Sequence, residues 1–222
     1  MLRRRPRHRH DHPARLSYSD ADEYLRSADP ALRRLIDEGG PIDPREDRRG
    51  RVPDAYQALV RAIVGQQLST KAAFAINERL AALLDGGVPT PAEILAADPQ
   101  ALRDAGLSWP KVGYLRDLAE RVQDGELELE RLPELADEEV IAELTRVKGI
   151  GPWTAEMFLI FNLGRHDVLS AGDLGIRRAA QIAYGLDQLP EASELERLAE
   201  PWRPHRTLAC LYLWRSLANA PV

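Results

Sequence analysis

Apolar residues recur along most of this 222-residue chain at intervals of three and four, which is the spacing of amphipathic helices. This pattern predicts helices over residues 110–122, 173–184, 190–199 and 205–217. Alternation with a period of two does not persist anywhere, and β-branched residues are sparse, so no strand is predicted. The predicted fold class is all-α.

Capping residues mark where two further short helices begin. Thr90 is expected to be an N-cap, with Pro91 in the first turn and Glu93 completing a capping box. Asp98 and Pro99 repeat the combination of a capping side chain and a first-turn proline.

A glycine-containing turn separates two helical runs near the middle of the chain. The first run covers 137–147, with Asp137 as the expected N-cap, and the second is expected to begin at Pro152 and continue through Phe161. The turn 148–151 cannot continue a helix, and glycine adopts the positive φ that a tight hairpin requires. The sequence therefore predicts a helix, a hairpin and a second helix.

The start of the second helix is expected to bind an anion. Its unpartnered amides and its dipole attract negative charge, and Gly149 and Gly151 let bare backbone approach a phosphate closely. Lys148, before the first glycine, is expected to face that phosphate. Many proteins also join two helices by a glycine-rich turn for structural reasons alone, and both interpretations stay open for the turn taken by itself.

Asp173 is the candidate catalytic carboxylate. It follows Gly172 and precedes the predicted helix over 173–184, so it can accept hydrogen bonds from helix amides and stay ionised. Taken locally, Asp173 is an N-cap. A lone anion one helix after a phosphate-binding turn also suggests chemistry on DNA, and one residue can fill both roles.

Seven segments of the chain carry a family resemblance. They are 64–69, Leu107-Ser108 with Lys111, 114–119, 144–156, Gly172-Asp173, 202–204 and 213–215. In this order they resemble motifs of the helix-hairpin-helix-GPD superfamily of DNA glycosylases, most closely its 3-methyladenine DNA glycosylase II (AlkA-like) branch. The resemblance runs from about residue 20 to the C-terminus.

The resemblance implies two helical lobes with the active-site cleft between them. One lobe would cover about 53–163 and end in the hairpin, and the other would combine about 16–52 with 164–222. The N-terminal β-rich domain of longer AlkA-like enzymes is not expected in these 222 residues. The Arg/His-rich segment 1–15 is predicted to be a disordered tail.

The same resemblance assigns candidate site residues. Asp173 matches the catalytic aspartate, and Trp153 and Trp214 match positions that line the base pocket, although either indole could simply pack in a core. Indole faces favour cationic bases such as 3-methyladenine and 7-methylguanine. Gln67 matches the side chain that enters the vacated base stack, or else ends a helix with its neighbour. Met157 replaces the tyrosine of the family, which changes the expected shape of the pocket.

The hairpin also predicts the type of reaction. Bifunctional relatives carry a Schiff-base lysine two residues after the second hairpin glycine, where this chain has Trp153. Water is therefore the expected nucleophile. The resemblance further implies DNA contacts from residues 148–151, and a monovalent cation (Na or K) on the backbone carbonyls of Thr145, Val147 and Ile150. No other cofactor is expected to be required.

Charge and cysteine content narrow the function classes. The formal net charge is −5, and the six Arg and one Asp among the first 15 residues leave −10 on the remainder, so DNA affinity must come from a local patch. The single cysteine, Cys210, excludes an internal disulfide and a four-cysteine iron–sulfur cluster. Candidate cations for the patch are Lys71, Lys111, Arg116, Lys148, Arg165, Arg177 and Arg178.

These observations predict a monofunctional DNA glycosylase that removes alkylated bases from double-stranded DNA and initiates base excision repair. The alternatives are a glycosylase for deaminated or oxidised bases and a non-catalytic helix-hairpin-helix DNA-binding protein. No apolar stretch follows the basic start and no membrane span is expected. The protein is predicted to be a cytoplasmic, nucleoid-associated monomer.

Overall fold

The computed structural model describes residues 18–43, 54–84, 86–87 and 89–218. Helices account for all of the regular structure in these ranges, which confirms the all-α prediction. The helices are α1 (Tyr18–Ala28), α2 (Pro30–Gly39), α3 (Ala55–Gly65), α4 (Thr70–Leu83), α5 (Pro91–Ala96), α6 (Pro99–Asp104), α7 (Trp109–Gln123), α8 (Asp137–Thr145), α9 (Pro152–Phe158), α10 (Leu174–Tyr184), α11 (Ala192–Leu198) and α12 (Arg206–Ala218). None of these helices combines the length and apolarity needed to cross a bilayer.

Local sequence signals place several helix starts correctly. The amide of Glu93 donates to the Thr90 hydroxyl at 3.3 Å, and the Glu93 carboxylate accepts from the Thr90 amide at 2.7 Å, so the predicted capping box is present. Asp98 caps α6 by accepting from Gln100 N–H at 3.1 Å. The predicted helices over 110–122, 173–184, 190–199 and 205–217 are α7, α10, α11 and α12.

Two helix boundaries near the hairpin differ from the prediction. Asp137 is the first residue of α8, and the N-cap is Ala136, whose amide donates to Glu139 at 2.8 Å. The Asp137 carboxylate instead lies 3.4 Å from Arg165. The prediction was wrong by one residue, because the Glu139 carboxylate accepts from the Ala136 amide and the helix begins directly after Ala136.

The second hairpin helix is also shorter than the prediction. Regular α9 ends at Phe158, and Leu159–Leu163 forms a π turn that ends at Gly164, which has a φ of 65°. The Leu159 carbonyl accepts from Arg165 N–H at 2.9 Å, a closure typical of left-handed helix ends. Apolar spacing alone does not distinguish a π turn from a continuing α-helix.

The described residues bury two apolar clusters. One is drawn from 56–168, and the other combines 21–36 with 171–213. Phe161 and Trp214 pack against both clusters, with ring centroids 6.1 Å apart. The predicted tail 1–15 and the lobe boundaries near residues 16, 52 and 53 lie outside the described residues.

Candidate active site

The two glycines of the hairpin between α8 and α9 differ in backbone conformation and in the space around them. Gly149 has a φ of 81°, and a Cβ built there would lie 2.2 Å from the Tyr114 ring. Gly151 has an ordinary φ of −94°, so the prediction of positive φ was wrong for this residue. A Cβ on Gly151 would meet nothing within 4 Å. Packing therefore requires Gly149, whereas Gly151 leaves open space at the start of α9.

Asp117, on α7, anchors the hairpin by contacting Lys148. This buried carboxylate accepts from the Lys148 amide at 3.0 Å, and the Lys148 ammonium lies 3.1 Å from its other oxygen. Arg121 adds a third contact at 3.1 Å. Burial alone would raise the pKa of Asp117, but hydrogen bonds from Lys148 and Arg121 outweigh it and lower the pKa. The predicted phosphate ligand Lys148 is thus paired internally, although 72% of its side chain is exposed.

The carbonyls predicted to hold a monovalent cation belong to the end of α8 and to the hairpin. The Thr145 hydroxyl donates to the Ile141 carbonyl at 2.8 Å. The Val147 carbonyl accepts from Ile150 N–H at 3.1 Å and keeps a second lone pair. Uncharged oxygen donors of this kind suit a hard monovalent cation.

The predicted intercalating residue lies on a tight loop beside the hairpin. Helix α3 ends with Gln66 as its C-cap, and Gln67 has a φ of 57°, a left-handed value that is uncommon outside glycine. The Gln67 side chain is exposed. Gln66 extends its amide to the Gly149 carbonyl at 2.8 Å, so the loop and the hairpin are directly joined.

Asp173 lies at the start of α10 and accepts three hydrogen bonds from uncharged donors. One oxygen accepts from Ile176 N–H at 2.7 Å and from the Trp214 indole at 3.1 Å. The other accepts from the Trp153 indole at 2.7 Å. The prediction that Asp173 is an N-cap is confirmed. None of the ion pairs found among the described residues includes Asp173.

The two indoles therefore contact the carboxylate through their N–H groups, and neither lines the cavities described below. Sequence reasoning assigned them to base recognition through their faces, but their N–H groups converge on Asp173. Trp153 is 49% exposed, whereas Trp214 is partly buried and stacked on Phe161. Both residues and Asp173 are brought together from α9, α12 and the start of α10.

Sequence reasoning missed one glycine that makes room for this arrangement. A Cβ on Gly175 would lie 2.9 Å from the Asp173 carboxylate and 3.5 Å from the Trp214 indole. Glycine inside the first turn of a helix is otherwise unfavourable, and that mismatch was the available signal.

A second carboxyl group near Asp173 was also missed. Glu156, on α9, accepts from the fully buried Ser170 hydroxyl at 2.5 Å. Burial raises the pKa of Glu156; the Ser170 hydrogen bond lowers it and the Asp173 charge raises it, so the net direction is upward. This contact joins the second hairpin helix to the loop that carries Asp173.

An apolar cavity of about 200 Å³ lies between α3 and α9, close to these groups. It shares Phe161 with the Trp214 stack, and Thr154 in its wall follows Trp153 in sequence. A larger depression of about 920 Å³ lies beside α11 and contains none of the predicted site residues. The cavity is lined by Ala58, Arg61, Ala62, Thr154, Met157, Phe158, Phe161 and Asn162.

Most of the candidate DNA-binding cations are engaged within the protein. Four of the seven donate to backbone carbonyls, and Arg178 bonds to Gln181. Lys71 is exposed, as is the paired Lys148. The four carbonyl-bound cations are Lys111 to Val64 and Gln66, Arg116 to Leu95, Arg165 to Pro133 and Leu135, and Arg177 to Pro190. These four cations hold helix ends and turns of the fold, and their part in DNA binding stays a prediction.

The fold and this site define a class of DNA repair protein. Residues 60–204 match the family model described as "HhH-GPD superfamily base excision DNA repair protein". The match covers more than half of the chain, which belongs to this superfamily.

Individual relatives give a narrower comparison. The chain is 37% identical over 202 residues to DNA-3-methyladenine glycosylase 1 of Schizosaccharomyces pombe, covering 90% of this chain and 88% of that protein. The structure of the S. pombe 3-methyladenine DNA glycosylase in complex with abasic DNA superposes with a TM-score of 0.80 at 36% identity, covering 91% and 99% of the two chains. A DNA-3-methyladenine glycosidase from Bacillus halodurans gives 0.79 at 38% identity, covering 93% and 89%.

Proposed function

We propose that this protein is a monofunctional DNA-3-methyladenine glycosylase that hydrolyses the N-glycosidic bond of alkylated bases and so initiates base excision repair. Its relatives carry this activity in their names, and a related enzyme is seen with abasic DNA. The observation that carries the proposal is the Asp173 carboxylate, which is held by uncharged donors beside the open start of α9.

Duplex DNA is the partner, and its backbone binds at the hairpin. The amides at the start of α9 are available to a phosphate oxygen, and Gly151 leaves the approach open. Contacts of this kind position the enzyme without reading sequence. The target nucleotide then leaves the stack, and Gln67 occupies the vacated space.

Asp173 supplies the charge that the reaction requires. A carboxylate has about four lone-pair sites, and three are used by Ile176, Trp153 and Trp214, so one remains for the sugar. As the C1′–N bond breaks, its electron pair leaves with the base, and the negative charge stabilises the sugar cation. Water adds to C1′ and loses a proton, which leaves an intact abasic strand.

The residues around Asp173 favour a base that is already cationic. Such a base departs as a neutral molecule and needs no proton from the enzyme, and the indole faces of Trp153 and Trp214 attract positive charge. The cavity between α3 and α9 is apolar and would receive the methylated ring. Met157 in its wall replaces an aromatic side chain with a flexible one.

The remaining assignments complete the proposal. The protein acts as a monomer in the cytoplasm, associated with the nucleoid. A monovalent cation on the carbonyls of Thr145, Val147 and Ile150 would add positive charge at the phosphate contact. No other cofactor takes part.

Single-turnover excision from matched duplexes tests the function. We expect 3-methyladenine and 7-methylguanine to be released faster than hypoxanthine or uracil, both absolutely and relative to their uncatalysed rates of loss. Comparable rates for cationic and neutral bases would instead favour a glycosylase for deaminated bases. Binding with no excision of any base would favour a non-catalytic DNA-binding protein.

A further inference from the structure

Lys111 holds the end of α3 from the first turn of α7. Its ammonium donates to the Val64 carbonyl at 2.8 Å and to the Gln66 carbonyl at 2.6 Å. The side chain is partly buried, and this burial lowers the pKa of Lys111. No carboxylate within the described ranges forms an ion pair with it, so backbone dipoles alone compensate its charge.

The loop that Lys111 holds is strained and exposed. Gln67 is the one non-glycine residue with positive φ in the described part of the chain. A left-handed conformation costs a residue of this kind about 1–2 kcal/mol, so surrounding contacts must maintain it. Within the loop, Leu68 N–H donates to the Gly65 carbonyl at 3.2 Å and closes a turn across Gln67. From outside the loop, the two Lys111 hydrogen bonds hold one side and the Gln66 hydrogen bond to Gly149 holds the other.

We propose that Lys111 and Gln66 are positioning residues that lock the Gln67 tip to the hairpin before DNA is bound. The inference rests on the proposed function, because it assigns the tip to base extrusion. Extruding a base costs a few kcal/mol. A tip that is already ordered loses little further conformational entropy when it enters the duplex, so more of its contact energy is available for extrusion.

The hydrogen bond from Gln66 to the Gly149 carbonyl connects the Gln67 loop to the hairpin. The same carbonyl belongs to the turn that precedes the phosphate-binding amides, so docking of the hairpin also sets the depth of Gln67. Arg116 provides the contrast, since it donates to the Leu95 carbonyl at 3.2 Å and reaches neither the loop nor the hairpin. Arg116 therefore represents a contact between a cation and a carbonyl that stabilises the fold without positioning Gln67.

The test compares Lys111→Met and Gln66→Ala with the matched control Arg116→Met. Single-turnover excision of 7-methylguanine is measured at saturating protein on a fully paired duplex and on one in which the lesion sits in a bulge. Because the bulged base is already extruded at little cost, we expect about tenfold losses on the paired duplex and near wild-type rates on the bulge. Arg116→Met should change both rates equally or not at all.

Two outcomes would overturn the proposal: wild-type rates on paired DNA for both variants, or equal losses on both duplexes. If Lys111→Met fails to fold, Gln66→Ala decides alone. Fluorescence of 2-aminopurine beside the target reports tip entry without excision, and it should rise with the wild type and not with the variants. A wild type that raises this fluorescence but excises nothing would refute the proposed function and leave the positioning role supported.

Discussion

Two aspartates in this molecule each accept three hydrogen bonds, yet their donors differ in charge. Asp117 is surrounded by the Lys148 ammonium, the Lys148 amide and the Arg121 guanidinium. Asp173 is surrounded by one backbone amide and two indoles. Two cations pair with the first carboxylate, and none of the ion pairs among the described residues includes the second.

Under the proposed function, this difference separates a structural carboxylate, Asp117, from a catalytic one, Asp173. Uncharged donors orient Asp173 without adding a positive charge that would oppose the field it presents to a sugar cation. A cation in the place of either indole would weaken that field. Hydrogen-bond number alone would not distinguish the two residues, whereas donor charge does.

Removing the charge of each aspartate should have the largest and most unequal effect. We expect Asp173→Asn to lower single-turnover excision by about 10³-fold or more, roughly 4 kcal/mol, with DNA affinity close to wild type. Asp117→Asn should retain excision within about tenfold while destabilising the fold by roughly 1–3 kcal/mol. Excision by Asp173→Asn within tenfold of wild type would contradict the catalytic assignment.

The two hairpin glycines should separate stability from binding. Gly149→Ala should destabilise the protein by roughly 2 kcal/mol, because its Cβ would meet Tyr114 and its φ is positive. The free energy of unfolding of Gly151→Ala should lie within about 0.5 kcal/mol of the wild-type value. The variant should bind plain and lesion-containing duplexes more weakly than the wild type does, by the same factor for both. Thermal unfolding and fluorescence anisotropy measure the two effects. Unchanged DNA affinity in Gly151→Ala would indicate that phosphate binds elsewhere.

The tryptophans should show whether their N–H groups or their faces matter more. We expect Trp153→Phe and Trp214→Phe each to lower excision by about tenfold, near 1.4 kcal/mol, because phenylalanine keeps an aromatic face but donates nothing to Asp173. Trp214→Ala should additionally narrow the preference for cationic over neutral bases. If both Phe variants excise like the wild type while Trp214→Ala narrows that preference, the faces alone are responsible.

The smallest expected effect is a pair of opposite pH dependences in stability. The pKa of Asp117 is lowered, so its contribution is present above the unfolded value near 3.9 and is lost as pH falls through the folded pKa. The pKa of Glu156 is raised, so its ionisation destabilises the fold increasingly as pH rises above about 4.3. Urea unfolding at several pH values should show Asp117→Asn approaching wild type at low pH. The free energy of unfolding of Glu156→Gln should increase relative to that of the wild type as pH rises. A difference between the two that does not change with pH would contradict the raised pKa of Glu156.

The features predicted correctly from the sequence are those decided by neighbours a few residues apart. The Thr90 capping box and the Asp173 N-cap both follow from a side chain and the next helical turn. The contact between Asp117 and Lys148 spans 31 residues, and the contact of Lys111 with Val64 spans 47. Packing decides such pairs, and a charge in the sequence does not reveal whether it faces a carbonyl or the solvent.

The use of Lys111, Arg116, Arg165 and Arg177 on backbone carbonyls has a consequence for how the protein finds its target. The salt dependence of DNA binding reflects counterions released when cations meet phosphates, and we expect cations held on backbone carbonyls to release few. We therefore expect a shallow decline of affinity with salt and short residence on undamaged duplex. We expect such a protein to visit many sites briefly, because cations that stabilise the fold contribute little to prolonged sliding along the duplex.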